Sequence, residues 1–172
     1  VVSGNVCQRA QNGIMVSGID ESNLVWDVSV TGNTVHHCAV GSAGSTTCAG
    51  IDLFWTQNLI VEGNTLTSIG LLINNGDVES APTAGANVIP YGIHARNSRH
   101  LRFADNSITD ATAAGTGFSY GIFLSIKDNP AVFDARAITI TGNQVMASAG
   151  MTPIGTGIMV TVGTSGAGGN TS

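Results

Sequence analysis

The sequence predicts an all-β chain wound as a β-solenoid, and three observations predict it. A strand ending in an asparagine corner is written five times: "VVSGNVC", "VSVTGNTV", "NLIVEGNTL", "LRFADNSI" and "ITITGNQV". A second phrase, Gly-Ile followed by a short strand, alternates with it: "NGIMVSG", "AGIDLFW", "YGIHARN", "YGIFLSI" and "TGIMVTV". The composition suits both phrases, with 23 glycines, 10% charged and 5% aromatic residues, and 42% apolar residues. Small and β-branched residues favour strands and turns. Disorder would require low hydrophobicity with high net charge, so it is excluded.

The Gly-Ile phrase starts at residues 13, 50, 92, 121 and 157, in steps of 37, 42, 29 and 36. A fixed order with variable steps means that each unit is one coil, with loops of different length inserted at the same corners. No window sustains a helical period, whereas "SVTGNTV" alternates as a strand does. The longest connection, "TSIGLLINNGDVESAPTAGANVIPY", reads as a surface loop whose "LLIN" makes a short strand of its own.

Aligned coil by coil, Asn5, Asn33, Asn64, Asn106 and Asn143 occupy one corner. Stacked about 4.8 Å apart, their amides can bond to one another and to the corner backbone. The preceding residue is Gly, or Asp105 in one coil, and supplies a permissive backbone for the bend. Period two then sorts the strands. The inward residues of the Gly-Ile strands are Ile14 and Val16, Ile51 and Leu53, Ile93 and Ala95, Ile122 and Leu124, Ile158 and Val160. In the asparagine strands they include Val28 and Val30, Leu59 and Val61, Leu101 and Phe103, Ile138 and Ile140. Every one of these columns is apolar.

This pattern resembles the right-handed parallel β-helix of the pectate-lyase-like superfamily, in which a Gly-Asn corner after an apolar strand is common. The resemblance covers nearly the whole chain and implies about four full coils with partial coils at both ends. Residues 1–162 are then a β-helix domain, a fragment of a longer protein that begins inside a repeated strand. Residues 163–172 are a Gly/Ser/Thr-rich tail or the start of the next coil. Truncated coils cannot cap themselves, so flanking sequence or partner chains are expected to cover them.

The outward columns are where chemistry can reside. After Gly-Ile they read Met15, Asp52, His94, Phe123, Met159, then Ser17, Phe54, Arg96, Ser125, Thr161. Asp52 therefore lies one coil from His94, within reach of a hydrogen bond, and Arg96 shares the His94 strand. On the neighbouring sheet Glu62 and Arg102 are diagonal partners. The stretch "HARNSRHLR" holds three of the five arginines and two of the four histidines, a local basic stripe in a chain of net charge −5. Two readings stand side by side: ordinary cross-strand salt bridging, or a groove for a polyanionic sugar chain.

The resemblance implies the β-helical part of a phage tailspike, or of a bacterial polysaccharide lyase, epimerase or hydrolase. The scaffold hosts many activities and has no universal catalytic motif. In a lyase, His94 oriented by Asp52 would be the base and Arg96 or Arg102 the carboxylate neutraliser. In a hydrolase, Asp52 and Glu62 would be the carboxylate pair. Arg102, Arg99, Phe54, Trp55 and Tyr91 are the candidate substrate contacts, with Trp26 and Phe123 as further stacking faces. The alternative is a non-catalytic shaft or adhesin. The implied setting is extracellular or on a virion surface, with no metal and no cofactor. The acidic balance argues against nucleic acid, and no apolar run approaches a membrane span. Outward apolar Met15, Ile60, Phe123 and Met159 suggest a homo-oligomeric interface, a trimer in the tailspike case.

Three other signals carry less. "GFSYG" matches the G-x-S-x-G elbow, but Ser119 lacks the strand-turn-helix setting that chemistry needs. "HHC", with His36, His37 and Cys38, is followed by Cys48 at a spacing that fits no common zinc site. Cys38 and Cys48 could instead close their loop as a disulfide, while Cys7 points inward as a small hydrophobe.

Overall fold

A computed structural model describes the chain except residues 11, 39–46, 71, 75–77, 81–88, 112–118, 129–136, 147–154 and 165–172. Three parallel sheets stack in register, and the chain visits them in cyclic order. The Gly-Ile sheet contains Ile14–Ser17, Thr47–Phe54, Ile89–Arg96, Tyr120–Asp128 and Thr156–Thr164. The asparagine sheet contains Val2–Ser3, Ser29–Thr31, Thr56–Glu62, Arg99–Ala104 and Ile138–Thr141, with Val25–Trp26 alongside Thr56–Glu62. A third, short sheet follows each asparagine corner: Val6–Gln8, Thr34–His36, Thr65–Thr67, Ser107–Thr109 and Gln144–Met146. This is the arrangement of a parallel β-solenoid. Among the described residues there is no helix. Within the long connection, Leu72–Asn74 does form a strand, paired antiparallel with Val78–Ser80.

The corner ladder is present as the repeat predicts. The Asn33 backbone N–H and Nδ2 both donate to Asn64 Oδ1, at 3.0 and 2.9 Å. Asn64 repeats this toward Asn106 at 3.1 and 2.9 Å, and Asn106 toward Asn143 at 3.1 and 2.8 Å. The second Nδ2 hydrogen of Asn64 reaches the Val30 carbonyl at 2.9 Å. Both donors and the acceptor of each interior amide are therefore engaged, which is what permits Asn64 and Asn106 to be buried. The residue before each asparagine is left-handed: Gly4, Gly32, Gly63 and Gly142 at φ 63–66°, and Asp105 at 54°. A Cβ at Gly32 or Gly63 would meet nothing, so backbone conformation, not space, selects glycine there.

The glycine of Gly-Ile has a different cause. A Cβ on Gly92 would sit 2.5 Å from the Gly121 carbonyl oxygen and 2.8 Å from Ile108 Cγ2. Position 92 thus faces the core, as does Ile93, which is fully buried. Two successive inward positions return Tyr91 and His94 to the same outer face.

The predicted inward columns form the core, with Ile51, Leu53, Leu59, Val61, Ile93, Phe103, Ile122 and Leu124 all 0–1% exposed. Each such side chain contributes about 1.5–3 kcal/mol. Val35, Leu66 and Ile108 of the short sheet close the third side. Ile158 and Val160 continue the inward columns yet are 43% and 44% exposed, because no described strand stacks beyond Thr156–Thr164. The apolar outward set does not form one exposed column. Met15 and Ile60 are exposed, on different sheets, while Phe123 and Met159 are half-buried.

Candidate functional site

On the outer face of the Gly-Ile sheet, the columns fall as read from the sequence. His94 lies opposite Asp52 and Phe123, and Arg96 opposite Phe54 and Ser125. The Tyr91 ring stacks on the His94 imidazole at 4.2 Å and 13°, with Tyr120 and Phe123 packed beside it. Asp52 is 5% exposed and His94 3%. Burial pushes the Asp52 carboxyl above its ordinary value, against the opposing pull of Arg96. Burial, and then the Arg96 charge, lower His94 to about 3. His94 is therefore neutral near pH 7.

The orientation of His94 differs from the expected one. Its Nδ1 is 3.4 Å from Asp52 Oδ1 but makes no hydrogen bond. Arg96 takes the carboxylate instead, with Nη2 3.1 Å from Oδ2 and 3.5 Å from Oδ1, and its guanidinium lies 4.6 Å from the centre of the Phe54 ring. A guanidinium on a long stem outcompetes an imidazole held flat by its stack on Tyr91. The result is a polar cluster in which Asp52 and His94 are buried among aromatic rings while the Arg96 side chain stays partly exposed.

The asparagine sheet presents a different face. Asp27, Asn58, His100 and Ala137 stack as one left-handed column, at φ 52°, 55°, 53° and 69°. Each immediately precedes an inward residue. In the first three this is Val28, Leu59 or Leu101, and the residue before is Trp26, Gln57 or Arg99, of which Trp26 is exposed, Arg99 half-buried and Gln57 buried. Asn58 Nδ2 donates to Asp27 Oδ1 at 2.8 Å, and Asn58 Oδ1 lies 3.0 Å from His100 Nδ1. Trp26 is 57% exposed, and the Arg99 guanidinium lies 5.9 Å from the centre of its ring while Arg99 Nε donates to Gln57 Oε1. Arg102 and Glu62 form the expected diagonal pair, Nη1 to Oε2 at 2.8 Å, with both side chains exposed.

The candidates thus divide between two faces. Asp52, His94, Arg96, Phe54 and Tyr91 belong to the Gly-Ile sheet, and Glu62, Arg99 and Arg102 to the asparagine sheet. Trp55 is buried at the corner between them, at φ 53°. Asp52 and Glu62 stand on different sheets, so they do not face each other as a hydrolytic pair. Column reading passed over Asp27, Asn58 and His100. Their signal was available: a polar residue tolerant of left-handed backbone immediately before Val28, Leu59 and Leu101.

The remaining motifs are placed as follows. Ser119 is buried, and its Oγ accepts from the Gly155 N–H at 3.1 Å. Cys38 is a free thiol in the core, pushed above its ordinary value by burial, and half-buried Cys7 packs against the same core. The Cys48 side chain lies outside the described residues. Among the described residues no three His, Cys, Asp or Glu side chains cluster as metal ligands. No helix among them is long and apolar enough to cross a membrane. Comparison with family models, curated proteins and solved structures finds no match for this chain.

Proposed function

We propose that this chain is a right-handed parallel β-helix of about four full coils, of the pectate-lyase-like kind, that binds an acidic extracellular polysaccharide. The binding surface is the outer face of the asparagine sheet. The observation that carries this reading is the exposed indole of Trp26 beside Arg99, with Arg102 on the same strand as Arg99. An aromatic face stacks on a sugar ring, and guanidinium groups suit carboxylates. A stack of coils repeats such contacts at about 4.8 Å along an extended ligand. The corresponding setting is a tailspike or a secreted polysaccharide-degrading protein, at a virion surface or outside the cell.

The burial of Asp52 and His94 favours a second reading, a non-catalytic shaft or adhesin. Titrating the chain with capsular, O-antigen and uronate polysaccharides separates the two. The proposal expects salt-sensitive binding to an anionic glycan, weakened by Trp26→Ala and Arg99→Ala. A chain that binds no anionic glycan is a shaft.

A further inference from the structure

One outward column of the Gly-Ile sheet begins and ends in methionine. In register it reads Met15, Asp52, His94, Phe123, Met159. The two sulfurs sit in different surroundings. Met159 is half-buried, opposite Phe123. Met15 is 63% exposed, and the side-chain amide of Asn12 donates to its Sδ at 3.8 Å. That amide is fixed at its other end. Asn12 Oδ1 accepts from the Ala49 N–H at 3.0 Å, and the adjoining Gly13 N–H donates to the Ala49 carbonyl at 3.2 Å. With its oxygen committed to the second coil, the amide has its Nδ2 left to offer Met15. A third methionine, Met146, is 48% exposed on the short sheet, where no donor among the described residues reaches its sulfur.

We propose that Met15 is an oxidation site with a built-in stereochemical preference, its reagent a peroxide and its product one sulfoxide epimer. The inference is independent of glycan binding. A thioether sulfur carries two lone pairs, and oxidation at one or the other gives opposite configurations. The pair that accepts from Asn12 Nδ2 is withheld from bond formation. The other is left to solvent, because the side chain is mostly exposed. This second pair forms the S–O bond to one peroxide oxygen as the O–O bond breaks. The departing hydroxide takes the proton carried by the transferred oxygen and leaves as water. Sulfur gives up two electrons, and the peroxide gains them. Asn12 thus acts by occupying one side of the sulfur, while its bond to Ala49 holds it there.

The test treats the folded chain with hydrogen peroxide, digests it and follows each methionine by mass. Methionine sulfoxide reductases, one specific for each epimer, then report the ratio at each site. Met15 should oxidise at least about fivefold faster than Met159, and one epimer at Met15 should exceed the other at least about threefold. Met146 should give the two in near-equal amounts. Asn12→Asp keeps an acceptor for the Ala49 N–H and removes the donor, so Met15 should still oxidise but lose its preference. A merely structural role for Asn12 would leave that ratio unchanged. Equal epimers at Met15 in the parent overturn the inference, as does a preference that survives Asn12→Asp. So does a Met15 that oxidises no faster than Met159.

Discussion

Two faces of one solenoid carry nearly the same inventory of residues and use it in opposite ways. The Gly-Ile face holds a carboxylate, a histidine, an arginine and four aromatic rings, and closes them over one another. The asparagine face holds two carboxylates, a histidine, two arginines and one indole, and leaves the indole, the imidazole and the Arg102–Glu62 pair in solvent. The inward glycine of Gly-Ile explains part of the difference. It brings two rings per strand, such as Tyr91 and His94, to the same side, where they stack. The asparagine face instead spaces its side chains by left-handed residues that point polar groups outward along the stack. Similar residues thus give a structural cluster on one face and an accessible surface on the other.

The largest expected effect strikes the frame that both faces share. In Asn64→Asp the carboxylate would confront the Val30 carbonyl and Asn106 Oδ1, where an amide now donates to both. A loss of roughly 3–5 kcal/mol should follow, because the charge is buried without compensation. Chemical denaturation would register it, and both faces should unfold together. Survival of one face would show that they are independent units.

Next comes the contrast between the two ion pairs. Arg96→Ala leaves Asp52 buried without its cation and should cost about 2–3 kcal/mol, below the fully buried range because the Arg96 side chain is 34% exposed. Arg102→Ala removes a solvent-exposed pair and should cost about 0–1 kcal/mol. Equal losses in a denaturant titration would break the distinction between a buried cluster and an open face.

The pH dependence sharpens it further. His94 is depressed from 6.5 to about 3, so the stability it contributes is full above 6.5 and is lost as pH falls through that window. The unfolded chain takes up the proton first, at up to about 1.4 kcal/mol per pH unit. Asp52 is raised, so its contribution runs the other way: full below 3.8 and lost as pH rises through the folded value. His94→Phe keeps a ring against Tyr91 and removes the titration. The parent should therefore lose stability relative to this variant between pH 6.5 and 3, as melting curves across that range would show. Parallel curves would mean that His94 is solvated.

The smallest effect belongs to the open face. Glu62→Gln releases Arg102 from its partner, and affinity for an acidic glycan should rise by up to about fivefold, the worth of an exposed pair. Unchanged or weaker binding would remove Arg102 from the contact surface.

Much of this organisation was legible in the sequence because it is local and repeated. Gly-Asn corners, inward apolar columns and the placement of Asp52 opposite His94 all follow from period two and the order of the phrases. The short sheet was harder to read, since Thr65–Thr67 and its equivalents are three residues long and give alternation no room to register. The columns at Asp27, Asn58 and His100 were hidden for a related reason: a single left-handed residue shifts the alternation and leaves only a residue-type preference behind.

What the tertiary structure decided was exposure and partnership. Register places Asp52, His94 and Arg96 together, but it does not say that aromatic rings will close over them, or that Arg96 rather than His94 will bond the carboxylate. Those outcomes depend on rotamers competing for space across neighbouring coils and on the free energy of removing a charge from water, neither of which is encoded in any one coil.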